Sequence, residues 1–493
     1  MQRQLHSDLV RSPAAQAAPR PLVLDLDGTV SRTDTLVESI LRLAARAPFA
    51  LLALLPVLLT AGRAAFKRRV AEAAWLDPAT LVYNDDVLDL ARAARAEGRT
   101  VALVTAADRS VAEAVAAYLG LFDEVHASDG ATNLKGAAKA DFLVQRFGAG
   151  GFDYAGDAAA DLPVWRQAAR AYVVAPSAAL ARQAALACAD IRVLGARPGT
   201  RSQLAIWARA LRLHQWTKNV LVFVPVFLAH RFDETTVLRA AIAFLAFSLC
   251  ASSVYLLNDL LDLPHDRQHA SKRRRPFASG ALSVNAAPAL IAATLGTGFA
   301  LALLLPLQFM LMLATYYAST LAYSLAMKRW PVWDIMMLAG LYTLRVLAGC
   351  AATGLRVSPW LLAFSMFLFF CLAVVKRQTE LVQHVRDGRT EKLSGRGYMP
   401  EDLDMLRGMA ASSGYMAVLV LALYVNSPDV LPLYRHPSAL WLLCPILLFW
   451  VSRVLMLSHR GLMNDDPVVF ALRDRLSLVV GVAALCAFVA GAL

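Results

Sequence analysis

Asn258, Asp259, Asp262 and Asp266 close one long apolar stretch, and Lys272, Arg273, Arg274, Arg275 and Pro276 follow in the same polar loop. The acids are three and four residues apart, a spacing that lines side chains up on one face of a helical turn. Three carboxylates so placed repel one another unless a cation sits among them. Mg²⁺ takes one or two carboxylates and completes its shell with phosphate oxygens and water, so a magnesium diphosphate is the natural guest. The basic run supplies charge-assisted donors to phosphate oxygens. A solvated cytoplasmic loop also collects Lys and Arg, but it has no reason to order acids, then bases, then proline. A second group lies near the N-terminus. Leu22-Val23-Leu24 is a short apolar strand that runs into Asp25-Leu26-Asp27-Gly28-Thr29. It sets two carboxylates at the carboxyl edge of a sheet, where open α/β folds bind ligands.

The elements that must hold these groups fall into two halves. The chain has 493 residues, 58% of them hydrophobic, which excludes an ordinary soluble protein and fits a polytopic membrane protein. Up to about residue 200 the apolar runs are short and mixed with charge; from about 218 long apolar segments alternate with short polar ones. A soluble domain therefore precedes a membrane domain. The net charge of +12 suits anionic lipid and phosphate substrates. It does not indicate nucleic acid, since no module or basic-aromatic interleaving accompanies it. The six cysteines are scattered without metal-type spacing, as small core residues in a reducing setting. Residues 1–20 are polar and Ala-rich, which predicts a flexible N-terminus and no cleavable signal peptide.

Further motifs follow the first strand in the soluble half. Val101–Thr105 is a second strand ending in a hydroxyl, Lys139 precedes Asp141-Phe142-Leu143 at the head of a helix, and Gly156-Asp157 is followed by Asp161-Leu162-Pro163. Together with Asp25-x-Asp27-Gly-Thr this order, over roughly residues 20 to 185, resembles the haloacid dehalogenase superfamily of aspartate-dependent phosphatases. The resemblance implies Asp25 as the nucleophile that forms an aspartyl-phosphate and Asp27 as the group that protonates the leaving oxygen and then activates water. It implies Thr105 and Lys139 as holders of the phosphoryl oxygens. It implies Mg²⁺ on Asp157, Asp25 and the main-chain carbonyl of Asp27, with Asp161 supporting that shell. Lys135 competes for the Lys139 role, although Asn133–Gly136 reads as a β-turn. An insert from about 31 to 84 forms a helical cap. Its segment Ala47–Thr60 has about fourteen residues, interrupted by Pro56, which is short for a span. Arg42, Arg46, Arg63, Lys67, Arg68 and Arg69 flank it. It reads either as a cap whose apolar face lies on the membrane surface or as a buried helix pair.

In the membrane half about nine apolar segments reach spanning length, near 218–231, 236–257, 284–304, 307–327, 333–353, 359–376, 411–426, 439–457 and 476–493. Loops after the even-numbered segments carry nearly all the Lys and Arg, which puts them and the soluble domain in the cytoplasm. Nine helices with Asn-Asp-x-x-Asp-x-x-x-Asp after the second resemble the UbiA superfamily of membrane prenyltransferases, over residues 205 to 493. Leu211–Val220 with Gln215, Trp216, Lys218 and Asn219, then Asp266–Pro276, Tyr323-Ser324 before Lys328, Leu344-Arg345, and Asp466-Pro467 with Leu472–Arg475 narrow the resemblance. They point to one branch, the polyprenyl-phosphate phosphoribosyltransferases of arabinan precursor synthesis. Lys376-Arg377-Gln-Thr-Glu380 stands where many aromatic prenyltransferases carry a second acidic cluster. Ala270 stands where the family often has proline.

The resemblance implies phosphoribosyl pyrophosphate as donor and polyprenyl phosphate as acceptor. The donor diphosphate and Mg²⁺ would sit on Asp259, Asp262 and Asp266 beside Asn258. The second phosphate would be met by Lys272, Arg273, Arg275, Lys376 and Arg377. Lys218, Asn219, Lys328, Arg345 and Glu380 complete the binding set. An acceptor phosphate is already anionic, so positioning and electrostatics carry the acceleration. The fused phosphatase would remove the ribose 5-phosphate and leave polyprenylphosphoryl ribose. His265 and His269 read as phosphate or carboxylate partners; Trp207, Trp216 and Trp330 read as interfacial anchors. Two rivals remain: a prenyltransferase acting on an aromatic or lipid acceptor, and a transporter with a regulatory phosphatase-like domain.

The expected protein is thus multidomain. After the N-terminal 20 residues come a Rossmann-like α/β haloacid dehalogenase domain with helical cap at 21–190, a linker or interfacial helix at 191–210, and an all-α UbiA-type bundle of nine transmembrane helices at 211–493. Its setting is the plasma membrane with both sites cytoplasmic, each with Mg²⁺. Homo-oligomerisation is left open.

Overall fold

Leu22, Val23 and Leu24 carry no polar residue among them because both faces of their strand are covered. Leu22 and Leu24 pack with Val87, Ala91 and Val111 on one side. Val23 packs with Leu143, Phe152 and Trp165 on the other, as a side-chain period of two requires. In the computed structural model, which describes residues 19–129, 132–195, 200–269, 272–393, 395–428, 434–463 and 466–492, this strand is β1 (Leu22–Leu24). The expected flexible stretch lies, up to residue 18, outside the described residues, as does Ala270.

β1 is central in a six-stranded sheet with β2 (Val101–Asp108), β3 (Glu124–Ser128), β4 (Asp153–Gly156), β5 (Arg170–Val174) and β6 (Ile191–Leu194), in the order β3-β2-β1-β4-β5-β6. The pairings are parallel. Leu22 is in register with Val101 on one side and Asp153 on the other. The strand order reverses between β1 and β4, the switch point at which doubly wound sheets open a crevice. Asp25 leaves β1 and Asp157 leaves β4 at that crevice. β6 falls inside the stretch expected as linker, so the sheet runs on beyond residue 190 before the helix Thr200–Ala210.

The insert forms three helices, Thr35–Arg46, Pro48–Thr60 and Gly62–Ala73. Asp34 caps the first by accepting the Val37 amide. The second is apolar throughout and holds Pro56 within it. Phe49 is 84% and Leu59 88% exposed, so this helix is not one member of a buried pair.

By packing, residues 1–210 group with 259–287, and 211–258 with 288–493. The acidic-basic loop therefore belongs to the first body, although the helix that leads into it, Glu234–Leu261, begins in the second. Asp259, Asp262 and Asp266 do not share one helical face. The long helix stops at Leu261 and a short one, Leu263–Gln268, starts with Pro264 in its first turn; proline has no amide to continue the preceding ladder.

The second body is helical. Among the described residues seven helices are long and apolar enough to cross a membrane: Glu234–Leu261, Val284–Ala302, Trp333–Thr353, Pro359–Arg386, Pro400–Val425, Pro437–His459 and Arg475–Ala492. The expected count of nine is not reached on length and composition. The segment near 218–231 is a 3₁₀ run, Leu213–Phe223, followed by the short helix Val224–Leu228, which holds Pro225 in its first turn. Leu307–Leu325 has 19 residues, but its Tyr, Thr and Ser residues keep it out of the apolar set. The 3₁₀ run can pack close because Gly349 faces it: a Cβ there would lie 2.2 Å from the Val222 carbonyl oxygen. Phe247, Phe309, Leu313 and Tyr316 fill one core of this body. Val374, Ala410, Val451 and Val454 fill another. The last helix turns Val479, Val482 and Leu485 outward, the arrangement a lipid solvent favours.

Candidate functional site

In the first body a cavity of about 1100 Å³ opens at the sheet's switch point. Asp25 lies on its wall, and its Oδ1 is 3.0 Å from the Nζ of Lys139. Lys139 comes from the helix Ala137–Phe147 and is almost fully buried. It donates to the Tyr154 hydroxyl at 2.8 Å, and that hydroxyl donates to Asp161 at 2.8 Å. A buried ammonium needs such a fence of acceptors. Lys139 is therefore the lysine at Asp25. Lys135 lines the cavity elsewhere.

Asp25, Asp157 and Asp161 bring one carboxylate oxygen each within 4.8 Å of one another. Three hard oxygens at that separation fit a divalent cation such as Mg²⁺. Burial, with Asp161 and Asp25 close by, pushes the Asp157 carboxyl up to about 7; burial raises Asp161 as well. Cation binding would relieve that repulsion. Gly28 makes the approach feasible. Its φ is +77°, and a Cβ there would fall 2.1 Å from an Asp157 oxygen, so only glycine fits.

Asp27 lines the same cavity but is not one of this trio. Its Oδ1 accepts from the amide and the hydroxyl of Thr35, each at 2.8 Å. Burial, then Asp34 and Asp25, raise it to about 7, which keeps a share of it protonated near neutrality, as a general acid requires. Thr105 is wholly buried, and its hydroxyl accepts from the Ala107 amide at 3.1 Å. The cavity is lined at this strand by Ala106, Ala107 and Asp108. Lys67 of the cap reaches across to the Ala106 carbonyl at 2.7 Å. Trp207, expected as an interfacial anchor, lines the cavity instead.

The acidic-basic loop has a different arrangement from the trio. Arg275 bridges two acids, at 3.0 Å from Asp259 and 2.5 Å from Asp266. The cation among the carboxylates is thus a guanidinium. Asp262 is exposed at the helix break, and His265, His269 and Arg273 are exposed beside a half-buried Lys272. Among the described residues these acids do not converge as Asp25, Asp157 and Asp161 do.

In the second body the predicted residues form two groups. Asp466 receives Lys218 at 2.9 Å and Lys376 at 3.0 Å on the same oxygen. Burial would raise its carboxyl, but Lys376 and Lys218 outweigh that and hold it well below the usual range. Arg345 donates to Asn219 at 2.7 Å and to Tyr316 at 3.0 Å, and Asn219 donates to Ser248 at 2.9 Å. The second group is a closed network. Arg377, fully buried, pairs with Asp334 and Glu380 and donates to Tyr323. Asn258 donates to Ser324 at 3.1 Å. Lys328 sits in the 3₁₀ turn Met327–Arg329. Asp466 and Asp334 are the partners the sequence reading did not assign. An Asp-Pro pair at a helix start is a weak signal for the first; a lone acid at the head of an apolar helix is the signal for the second.

A model of the UbiA prenyltransferase family matches residues 220–473, and one of haloacid dehalogenase-like hydrolases matches residues 22–166. The chain is 40% identical to an uncharacterized protein, y4nM, of Sinorhizobium fredii over 472 residues, 95% of this chain and 90% of that protein. It is 36% identical to the nodulation protein NoeC of Azorhizobium caulinodans over 276 residues, 55% of this chain and 89% of NoeC. It is 34% identical to the decaprenyl-phosphate phosphoribosyltransferase of Corynebacterium glutamicum over 234 residues, 46% of this chain and 70% of that enzyme.

Proposed function

We propose, from the premise that this chain belongs to the UbiA prenyltransferase family and carries an N-terminal haloacid dehalogenase-like domain, that it is a two-step enzyme of the plasma membrane. The first step moves 5-phosphoribose from phosphoribosyl pyrophosphate to a polyprenyl phosphate. The second removes the 5-phosphate and leaves polyprenylphosphoryl ribose, a pentose donor for cell-envelope arabinan. Both sites face the cytoplasm. The observation that carries the transferase reading is the pair Lys218 and Lys376 on the single acid Asp466. That region is cationic where a second metal-binding acid cluster would serve a prenyl diphosphate. Similarity to a decaprenyl-phosphate phosphoribosyltransferase supports a polyprenyl phosphate acceptor and a phosphoribosyl group as what is transferred.

In the transferase step Asp259, Asp262 and Asp266 would hold Mg²⁺, which would neutralise charge on the donor diphosphate. Arg275 exchanges the carboxylates of Asp259 and Asp266 for diphosphate oxygens and stabilises the leaving group. The acceptor phosphate oxygen attacks the anomeric carbon as the bond to pyrophosphate breaks. Lys218 and Lys376 hold a phosphate, and the reactants gain most from being positioned.

In the phosphatase step Asp25 attacks phosphorus and forms an aspartyl-phosphate while Asp27 gives its proton to the departing ribose oxygen. Water then attacks phosphorus, Asp27 takes the proton back, and phosphate leaves. Lys139 offsets charge on the nucleophile throughout. Mg²⁺ on Asp25, Asp157 and Asp161 would supply charge neutralisation to the phosphoryl oxygens. The exposed apolar cap helix Pro48–Thr60 suits a substrate held in lipid.

Donor choice tests the reading. Purified protein with polyprenyl phosphate and either labelled phosphoribosyl pyrophosphate or labelled geranyl diphosphate should put label into lipid from the first donor only. Transfer from the prenyl diphosphate alone would replace this function with prenyl transfer.

A further inference from the structure

Arg267 sits between the acidic and basic parts of the loop, one residue beyond Asp266, and its own partners lie in the phosphatase-like domain. Its guanidinium donates to both oxygens of Glu38, at 2.8 and 2.7 Å, and to the Thr80 carbonyl at 2.8 Å. The pair is shielded from solvent: the side chains are 6% and 3% exposed. A buried two-pronged pair of this kind fixes geometry more than it adds net stability. Glu38 also accepts the Thr33 hydroxyl, so its carboxylate is anchored on both sides.

The place of Glu38 gives the pair its meaning. It lies in the first turn of Thr35–Arg46, three residues after Thr35. Thr35 holds the Asp27 carboxyl with two hydrogen bonds of 2.8 Å. One helical turn therefore grips the phosphatase acid at one residue and the loop at another. On the loop side Asp266 is gripped by Arg275, which also holds Asp259. Farther along, Gly280, Ala281, Leu282 and Ser283 form part of the wall of the Asp25 cavity. One loop thus carries the acids read as the diphosphate site and also closes the phosphatase cavity.

We propose that Arg267 is a positioning residue, through which the donor-binding loop is tied to the Asp27 acid and held as a wall of the phosphatase cavity. The hydrolysed ester would then be bound partly by the loop that served the preceding transfer. This inference rests on the phosphatase reading of the Asp25 site.

Removing one partner strands a buried charge and threatens folding, so the test variant replaces both: Arg267→Met with Glu38→Gln, beside Arg267→Lys. Hydrogen exchange is measured on the full chain in detergent, with and without Mg²⁺ and beryllium fluoride, a phosphoryl mimic. In the wild type, amides of residues 22–30 and of 276–287 should both slow, the latter about fivefold or more. In the double variant 22–30 should still slow and 276–287 should lose the response, with Arg267→Lys restoring part of it. Hydrolysis of p-nitrophenyl phosphate by the double variant should lose about tenfold in kcat with KM within threefold, since Asp27 acts on the chemical step. Slowing at 22–30 without slowing at 276–287 in the wild type overturns the loop's role and leaves the phosphatase reading standing. Equal slowing at 276–287 in wild type and double variant overturns Arg267 as the tie. No slowing at either place overturns the phosphatase reading and this inference with it.

Discussion

Lys139 and Lys135 are four residues apart, and sequence alone left both open. The structure puts Lys139 at 3.0 Å from Asp25 and Lys135 on the cavity wall. Lys139→Ala should lower kcat for phosphate-ester hydrolysis by about 100-fold or more, against less than about threefold for Lys135→Ala; steady-state kinetics with p-nitrophenyl phosphate decides, and equal losses would contradict the assignment. Asp157 and Asp27 give a pH prediction. Both carboxyls are raised to about 7 in the folded chain, so without metal the fold binds these protons more tightly than the unfolded chain does. The stability they contribute is full below the ordinary carboxylate range and is lost as pH rises to about 7. Mg²⁺ binds the charged form of Asp157, so its apparent affinity should fall roughly tenfold per pH unit below about 7. The rise in Tm on adding Mg²⁺ should therefore be larger at pH 8 than at pH 5.5, and equal shifts would contradict the site. The meeting of Asp25, Asp157 and Asp161 was legible in the sequence because each lies a short step beyond a strand end. Asp466 and Asp334 were not, since each is one acid whose role comes from lysines or an arginine brought to it from other helices.

The parallel sheet is legible in strands that are apolar on both faces, such as Leu22–Leu24. That pattern is readable because a doubly covered strand has no polar alternation. The acidic loop was less legible. Spacing of three and four predicts one helical face, but Pro264 breaks the helix after Leu261 and Arg275 takes the place between Asp259 and Asp266. The break sets Asp259 and Asp266 on different helices, both against Arg275. Pro264→Ala should favour one continuous helix, by the roughly 3 kcal/mol that proline costs inside a helix, and should lower transferase kcat/KM about tenfold. Unaltered transfer would mean that the break does not matter. The spans differ from expectation for a related reason. A segment near 218–231 has the apolar content of a helix, yet the 3₁₀ run Leu213–Phe223 forms in its place. Its path is set by close packing on Gly349, a tertiary contact that hydropathy does not see.

At the scale of the whole molecule, one chain joins a UbiA-family domain to a haloacid dehalogenase-like domain, and the proposed function sets two phosphate chemistries in sequence on it. On the proposed function the second would act on what the first makes, and a shared chain would raise the effective concentration of the intermediate at the second site. Separating the two should therefore slow the second step on the lipid more than on a small ester. Asp25→Asn and Asp466→Asn separate the chemistries within the intact protein. Asp466→Asn removes the acid that holds Lys218 and Lys376 together and should reduce transfer about 10- to 100-fold, while hydrolysis of p-nitrophenyl phosphate stays within about twofold. The most direct test of the account supplies wild type and Asp25→Asn with Mg²⁺, polyprenyl phosphate and phosphoribosyl pyrophosphate labelled in the 5-phosphate, and follows the label. The account predicts labelled lipid accumulating with Asp25→Asn, and labelled inorganic phosphate with unlabelled ribosyl lipid for the wild type. Labelled lipid persisting equally with both proteins would contradict the coupled second step, and no ribosyl lipid from either would contradict the transfer itself.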